Sequence, residues 1–302
     1  MPAAVVAANS QLGALPPPII VLGTRPAATA LIGAMIGRNP GAFEFPQLNL
    51  FIGDTLEEML KTVSLQNHTQ GLLRALAYIY GSEQTIISVG MARRWVLRHL
   101  SWSTSQVFDE LRTRVAPRRL VDKSAVYSQN AKCLERIRKA SPDAYYVHVV
   151  EHPLTSGAVT APFEGLLNAR QRAGAEASQD NQMKWVNAQR QISESLKEVP
   201  PERLVVLRLE ELIADPRAEL SELCARLDLP NDEAALAEML HPENSPFACL
   251  GPVGANLGDD PAFLRDPIFP PKSILGEPVS SQQGSKTIPP EVAQFAAQYG
   301  YE

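Results

Sequence analysis

An α/β fold with an open parallel sheet flanked by helices is the class that this 302-residue sequence predicts. Three observations predict it. Ile19–Leu22, Tyr145–Val150 and Leu204–Leu207 are short continuous apolar runs, the pattern of strands covered on both faces. Stretches of helical periodicity stand between them, the alternation that makes parallel sheets. The hydrophobic fraction of 45% and charged fraction of 20% are those of a globular chain, which excludes wholesale disorder.

Residues 1–15 read as a flexible lead-in that stops at Pro16-Pro17-Pro18, and 16–302 as a single domain. The lead-in lacks the basic start of a secretory signal. Ile19–Leu22 ends at Gly23, and Leu31, Ile32, Met35 and Ile36 then repeat with helical spacing up to Asn39-Pro40-Gly41. Residues 54–114 are mostly helical, with one stripe at Leu56, Met59, Leu60 and Val63 and another at Leu72, Leu73, Leu76 and Ile79. Leu120-Val121 is a short strand, 131–140 an amphipathic helix, and Tyr145–Val150 a strand ended by Glu151-His152-Pro153. A long helix over 178–197, the strand Leu204–Leu207 and a helix over 210–227, broken near Asp215-Pro216, complete the alternation. Residues 242–290 are rich in proline and glycine and read as a lid; Phe247, Leu250, Phe263, Leu264, Ile268 and Phe269 favour its packing on the body. By composition, 280–302 reads as a linker.

The net charge is −5, so no overall field favours nucleic acid or an anionic membrane, and no run of 18 apolar residues is present. Cys133, Cys224 and Cys249 are odd in number and far apart, which fits reduced thiols and a cytoplasmic setting.

Four constellations can carry chemistry. The turn Gly23-Thr24-Arg25-Pro26-Ala27-Ala28-Thr29 joins a buried strand to a helix N-terminus, a geometry that suits phosphate, although the nucleotide P-loop pattern is missing. Asp122-Lys123-Ser124 follows a strand, where open sheets bind ligands, and Lys123 offers a point charge to an anion. His148, Glu151 and His152 lie at different phases of a strand and its end, so no metal is expected there. His241 stands at the junction of body and lid, and histidine is the residue type suited to act as a general acid or base near pH 7.

Together these segments resemble the sulfotransferases that use 3′-phosphoadenosine 5′-phosphosulfate, and within them the sulfotransferase domains embedded in bacterial polyketide synthases. The resemblance runs from about Pro18 to Tyr301, through Pro18–Phe51, Leu120–Pro153, Trp185–Leu227 and His241–Leu264. It implies a P-loop-like sulfotransferase fold and the sulfonation of a β-hydroxyl on a carrier-tethered acyl chain, with a thioesterase then releasing a terminal alkene.

The departures from the family pattern are concentrated in the donor half. Gly23, Thr24, Thr29 and Leu31 are kept, but the loop arginine position holds Pro26, and Ala27, Ala28 and Ala30 replace serine, glycine and threonine. Arg25 stands one residue off, aimed elsewhere. The arginine and serine that hold the 3′-phosphate correspond to Glu151 and Val159. Losing these groups, with a carboxylate facing a dianion, weakens donor binding by about a thousandfold or more. The glutamate near the acceptor hydroxyl corresponds to Gln47, which cannot act as a base, while Lys123 and His241 are kept.

The resemblance therefore implies a domain that receives a phosphopantetheine-linked acyl chain from an acyl carrier protein, beside neighbouring polyketide synthase domains. No cofactor is expected. His241 is then a general acid or base, Lys123 an electrostatic stabiliser and Gln47 an acceptor-side contact, in a dehydration, isomerisation, cyclisation or release. Two alternatives stand: an active sulfotransferase that still uses 3′-phosphoadenosine 5′-phosphosulfate, and a non-catalytic module that docks a carrier protein.

Overall fold

The computed structural model describes residues 14–62, 69–153, 179–272 and 288–301. At its centre is a five-stranded sheet in the order β2-β3-β1-β4-β5, parallel throughout: β1 Ile19–Gly23, β2 Ala42–Glu44, β3 Arg119–Asp122, β4 Tyr145–Val150 and β5 Leu204–Arg208. Both faces are covered, and the period of two shows it. Ile20 and Leu22 of β1 enter one core with Phe45, Phe51 and Phe108, whereas Ile19 and Val21 enter the other with Val147 and Val149.

The helices appear in the expected order: α1 Pro26–Arg38, α2 Leu56–Thr62, α3 Gln70–Gly81, α4 Ile86–Arg98, α5 Thr104–Val115, α6 Ala131–Ala140, α7 Gln179–Leu196, α8 Leu209–Ala214 and α9 Pro216–Arg226. α1 follows β1 directly and is buried from Ala27 to Ile36, so it lies inside the second core rather than on the surface. α4 and α5 begin with reciprocal capping boxes, Thr85 with Ser88 and Ser103 with Gln106, each satisfying two otherwise free donors. α1 has no such cap: Arg25 precedes it, Pro26 fills its first turn, and no acidic residue lies there.

Three features differ from the sequence expectation. β2 is an edge strand of three residues, too short to show a pattern. The stretch 242–272 is not structureless: after α10, Glu233–Met239, it carries a 3₁₀ turn at Pro242–Asn244 and the short helix α11, Pro261–Arg265. Phe247, Phe263 and Leu264 are buried as expected, but Leu250 and Ile268 point to solvent. Residues 288–301, compositionally linker-like, instead belong to the body. Helix α12, Pro290–Ala297, packs Val292 and Phe295 against Val150 of β4 and Trp185 of α7. Val159 and much of the expected lid beyond residue 272 lie outside the described residues.

Candidate functional site

Strand order decides which side chains meet. β2, β3, β1 and β4 are consecutive in the sheet, so their carboxyl ends place Glu44, Lys123, Gly23 and Glu151 along one edge. This is the edge at which open α/β sheets take ligands.

At the β1–β4 end several polar groups bond within the protein. The Gly23 N–H donates to Ser128 Oγ at 3.1 Å, and Thr29 Oγ1 donates to the Pro26 carbonyl at 2.9 Å. Arg25 turns toward β4, its Nε 3.7 Å from Glu151 Oε2, with Glu151 1% exposed and Arg25 15%. From the sequence, Arg25 is expected to be aimed elsewhere than the donor, and its pairing with Glu151 is not expected. The arginine of the turn has become the counter-ion of the glutamate. A buried carboxylate at this end offers no cation to a phosphate, and the turn's arginine is already engaged with it.

The β2–β3 end holds a different arrangement. Lys123, fully buried, pairs with Asp259 Oδ2 at 2.9 Å and with Glu44, while Ser245 donates to Glu44. Its aliphatic stem runs over Gly33 of α1 so closely that an added Cβ there would meet Lys123 Cδ at 2.3 Å. Burial works against the Lys123 charge, but Asp259 and Glu44 outweigh it and raise its pKa. Burial pushes the Glu44 carboxyl up, with Lys123 pulling back; one lysine cannot neutralise two carboxylates. Gln47 joins the cluster through Nε2, 3.5 Å from Asp259 Oδ1, and its backbone N–H donates to Gly258 O at 2.9 Å. Gly258 has φ +93°, and an added Cβ would lie 2.9 Å from the Gly71 backbone, so the segment crosses the body in close contact.

The neighbours of Lys123 orient it. Asp122 accepts from the Ser124 N–H at 3.1 Å, Ser124 Oγ at 2.7 Å and Tyr127 OH at 2.9 Å. Burial raises its pKa to about 6 despite those donors. Ser124 Oγ accepts in turn from the Asn49 N–H at 2.9 Å, tying segment 46–51 to the end of β3.

The structure thus brings Gln47 and Lys123 together but leaves His241 apart. The His241 side chain is 58% exposed, and its Nδ1 lies 2.8 Å from Glu243 Oε1. Nor do His148, Glu151 and His152 converge. His148 is buried against Gln189 Oε1 at 2.6 Å, Glu151 faces Arg25, and His152 stacks edge-on to Tyr301. Among the described residues no three His, Cys, Asp or Glu side chains group as a metal would need. No helix of those residues is long and apolar enough to cross a membrane.

Sequence reasoning missed Glu44, Ser245 and Asp259. One signal pointed to them: a lysine directly after a buried strand requires acidic partners if it stays inside.

A sequence model described as "Sulfotransferase family" matches residues 17–233. No curated protein matches the chain. The structure is similar to the sulfotransferase domain from the curacin biosynthetic pathway, with 24% identity, coverage of 96% of this chain and 99% of that one, and a TM-score of 0.74. It is also similar to the sulfotransferase domain from the olefin synthase of Synechococcus PCC 7002, with 22% identity, coverage of 95% of each chain and a TM-score of 0.72. At these identities the likeness establishes the fold.

Proposed function

The chain belongs to the sulfotransferase family, and from that premise we propose that it acts in a polyketide assembly line on a carrier-tethered β-hydroxyacyl or related chain without the sulfate donor. The observation that carries this reading is the Arg25–Glu151 pair, with Glu151 buried. A site that gripped a 3′-phosphate would present a free cation to it; this one presents an ion pair already closed. The acceptor side supports the same reading, since Lys123, Gln47 and Asp259 form a connected polar cluster at the strand ends.

The residues divide the work by position. Lys123 supplies a cation for developing negative charge on the acyl chain. Gln47 offers an amide to hydrogen-bond the chain's oxygen, without acting as a base. His241 is the acid or base: Glu243 engages Nδ1, which leaves Nε2 for proton transfer. Asp259 and Ser245, both C-terminal to His241, cover Lys123. A substrate therefore reaches Lys123 only when this segment moves.

A second reading, sulfonation by 3′-phosphoadenosine 5′-phosphosulfate, draws support from the N-terminus of α1, which lacks a side-chain cap and any first-turn acid. Intact-protein mass spectrometry of a carrier protein loaded with a β-hydroxyacyl chain, with and without this protein and the donor, separates the two. Loss of one water, release of the chain, or conversion to an isomer of equal mass seen by chromatography supports the proposal. Gain of one sulfonate group that requires the donor contradicts it.

A further inference from the structure

The helical flank away from the strand ends carries a surface that the proposed chemistry does not use. A groove of about 390 Å³ runs between α3 and α4, walled by Tyr80, Met91, Trp95 and His99 among others. Nine large apolar side chains are exposed among the described residues; Tyr80 and Met91 line the groove, and Ile86, Ile87 and Leu97 lie with Met91 on helix α4. Two more, Leu250 and Val253, belong to the loop that reaches α4 through Arg93, whose guanidinium donates to Gly254 O at 3.3 Å. Apolar exposure this concentrated marks an interaction surface rather than scatter.

Helical spacing sorts the face into two stripes. Ile87, Met91, Arg94 and Arg98 fall at i, i+4, i+7 and i+11 beside the groove, and Ile86, Gly90, Arg93 and Leu97 form the adjacent row beside the loop. α4 contains three arginines and no acidic residue, although the chain as a whole carries −5. Other exposed arginines among the described residues do have carboxylate partners, as Arg114 has Glu110, Arg190 has Glu291 and Arg217 has Glu233. Among the described residues neither Arg94 nor Arg98 has an ion-pair partner. Two unpaired cations one turn apart, next to an apolar groove along α4, are complementary to a helix that carries apolar residues on one face and carboxylates beside them.

We propose that the α3–α4 groove docks an acidic amphipathic helix of a partner protein, anchored by Met91 and Trp95 and registered by Arg94 and Arg98. The groove itself contains none of the residues placed at the strand ends. It adjoins the loop 246–257, because Gln84, just before α4, donates to Pro246 O at 2.6 Å. A docked helix therefore lies against the segment that continues into Asp259, the cover of Lys123.

The test uses two synthetic peptides of about four helical turns, with leucines at i, i+4, i+7 and i+11. One carries glutamates beside the leucines and its twin carries lysines. Fluorescence anisotropy with the full chain is expected to show binding of the acidic peptide at least tenfold tighter than of its twin, weakening as salt rises. Arg94→Glu with Arg98→Glu is expected to abolish that preference, and Met91→Asp to weaken binding at least tenfold, with unchanged circular dichroism in both variants. Equal binding of the two peptides, absence of binding, or binding untouched by these substitutions would overturn the proposal. So would sedimentation showing a dimer of the free protein that Met91→Asp dissociates, because the face would then belong to a second copy.

Discussion

At the β1–β4 end of the sheet, Arg25 and Glu151 face each other across 3.7 Å, the arginine within reach of solvent. At the β2–β3 end, Lys123 is wholly enclosed between Glu44 and Asp259. The first pair joins a turn to the strand beside it. The second joins an edge strand, a central strand and the segment that crosses over from the far end of the chain, with Ser245 and Glu44 lying 201 positions apart. At the first end one partner, Arg25, can still reach water and is left hydrated if Glu151 is removed, whereas at the second every member of the cluster is enclosed and has no substitute for its partner. The two ends should therefore respond differently to the same kind of substitution.

The largest effect is expected at the enclosed end. Lys123→Met leaves two buried carboxylates without a cation and is expected to cost about 3–5 kcal/mol in urea unfolding. Adding Glu44→Gln and Asp259→Asn to it should recover part of that loss, because the uncompensated charge goes with them. Destabilisation below about 1 kcal/mol for the single variant would show that water reaches the cluster and compensates for the missing cation.

A smaller effect belongs to His148, paired with Leu22 in the sheet beneath the β1–β4 end. Burial lowers its pKa to about 4, with Gln189 opposing. The unfolded chain takes up a proton at this residue as the pH falls below about 6.5 and the folded chain does not, so its contribution to stability is lost between about 6.5 and 4. His148→Gln removes that loss. The stability gap between the wild type and this variant should shift in favour of the variant by about 3 kcal/mol across that window. A gap that stays constant with pH would contradict the burial argument.

Glu151→Arg places a cation where the family pattern has one. It is expected to raise affinity for 3′-phosphoadenosine 5′-phosphate by about ten- to a hundredfold, read by calorimetry. No gain would mean that the Pro26 and Ala28 turn, rather than Glu151, closes the site. The smallest change in stability is expected for the exposed His241→Ala, within about 0.5 kcal/mol. Its turnover on a loaded carrier should nonetheless fall by about 10²–10⁴-fold, the usual worth of a positioned acid or base.

Four of the five strands were legible in the sequence from short apolar stretches; β1 and β4 are buried on both faces as that pattern implies, whereas β3 shows only Leu120-Val121 and Val206 of β5 is exposed. β2 was not legible, since Ala42-Phe43-Glu44 is too short to show a period and ends in a carboxylate. That same carboxylate is half of what holds Lys123, so the missed strand and the missed site residue share one cause. Asp259 escaped because it sits among glycines and prolines, where local pattern carries no information about a contact with residue 123. Gln47 and Lys123 were legible from their motifs, but their connection through Asp259 was not. The Arg25–Glu151 pair was hidden for a related reason: sequence gives the identity of two substituted positions, and only the strand order β1 beside β4 brings them face to face. The C-terminal helix α12 reads as linker by composition, yet Val292 and Phe295 give it an apolar face that closes on Trp185 and Val150.

Whether the donor end is closed is tested most directly by calorimetric titration of the intact wild-type protein with 3′-phosphoadenosine 5′-phosphate. The pairing of Glu151 with Arg25 predicts no detectable heat at concentrations that saturate a sulfonating enzyme. Stoichiometric binding with micromolar affinity would contradict it.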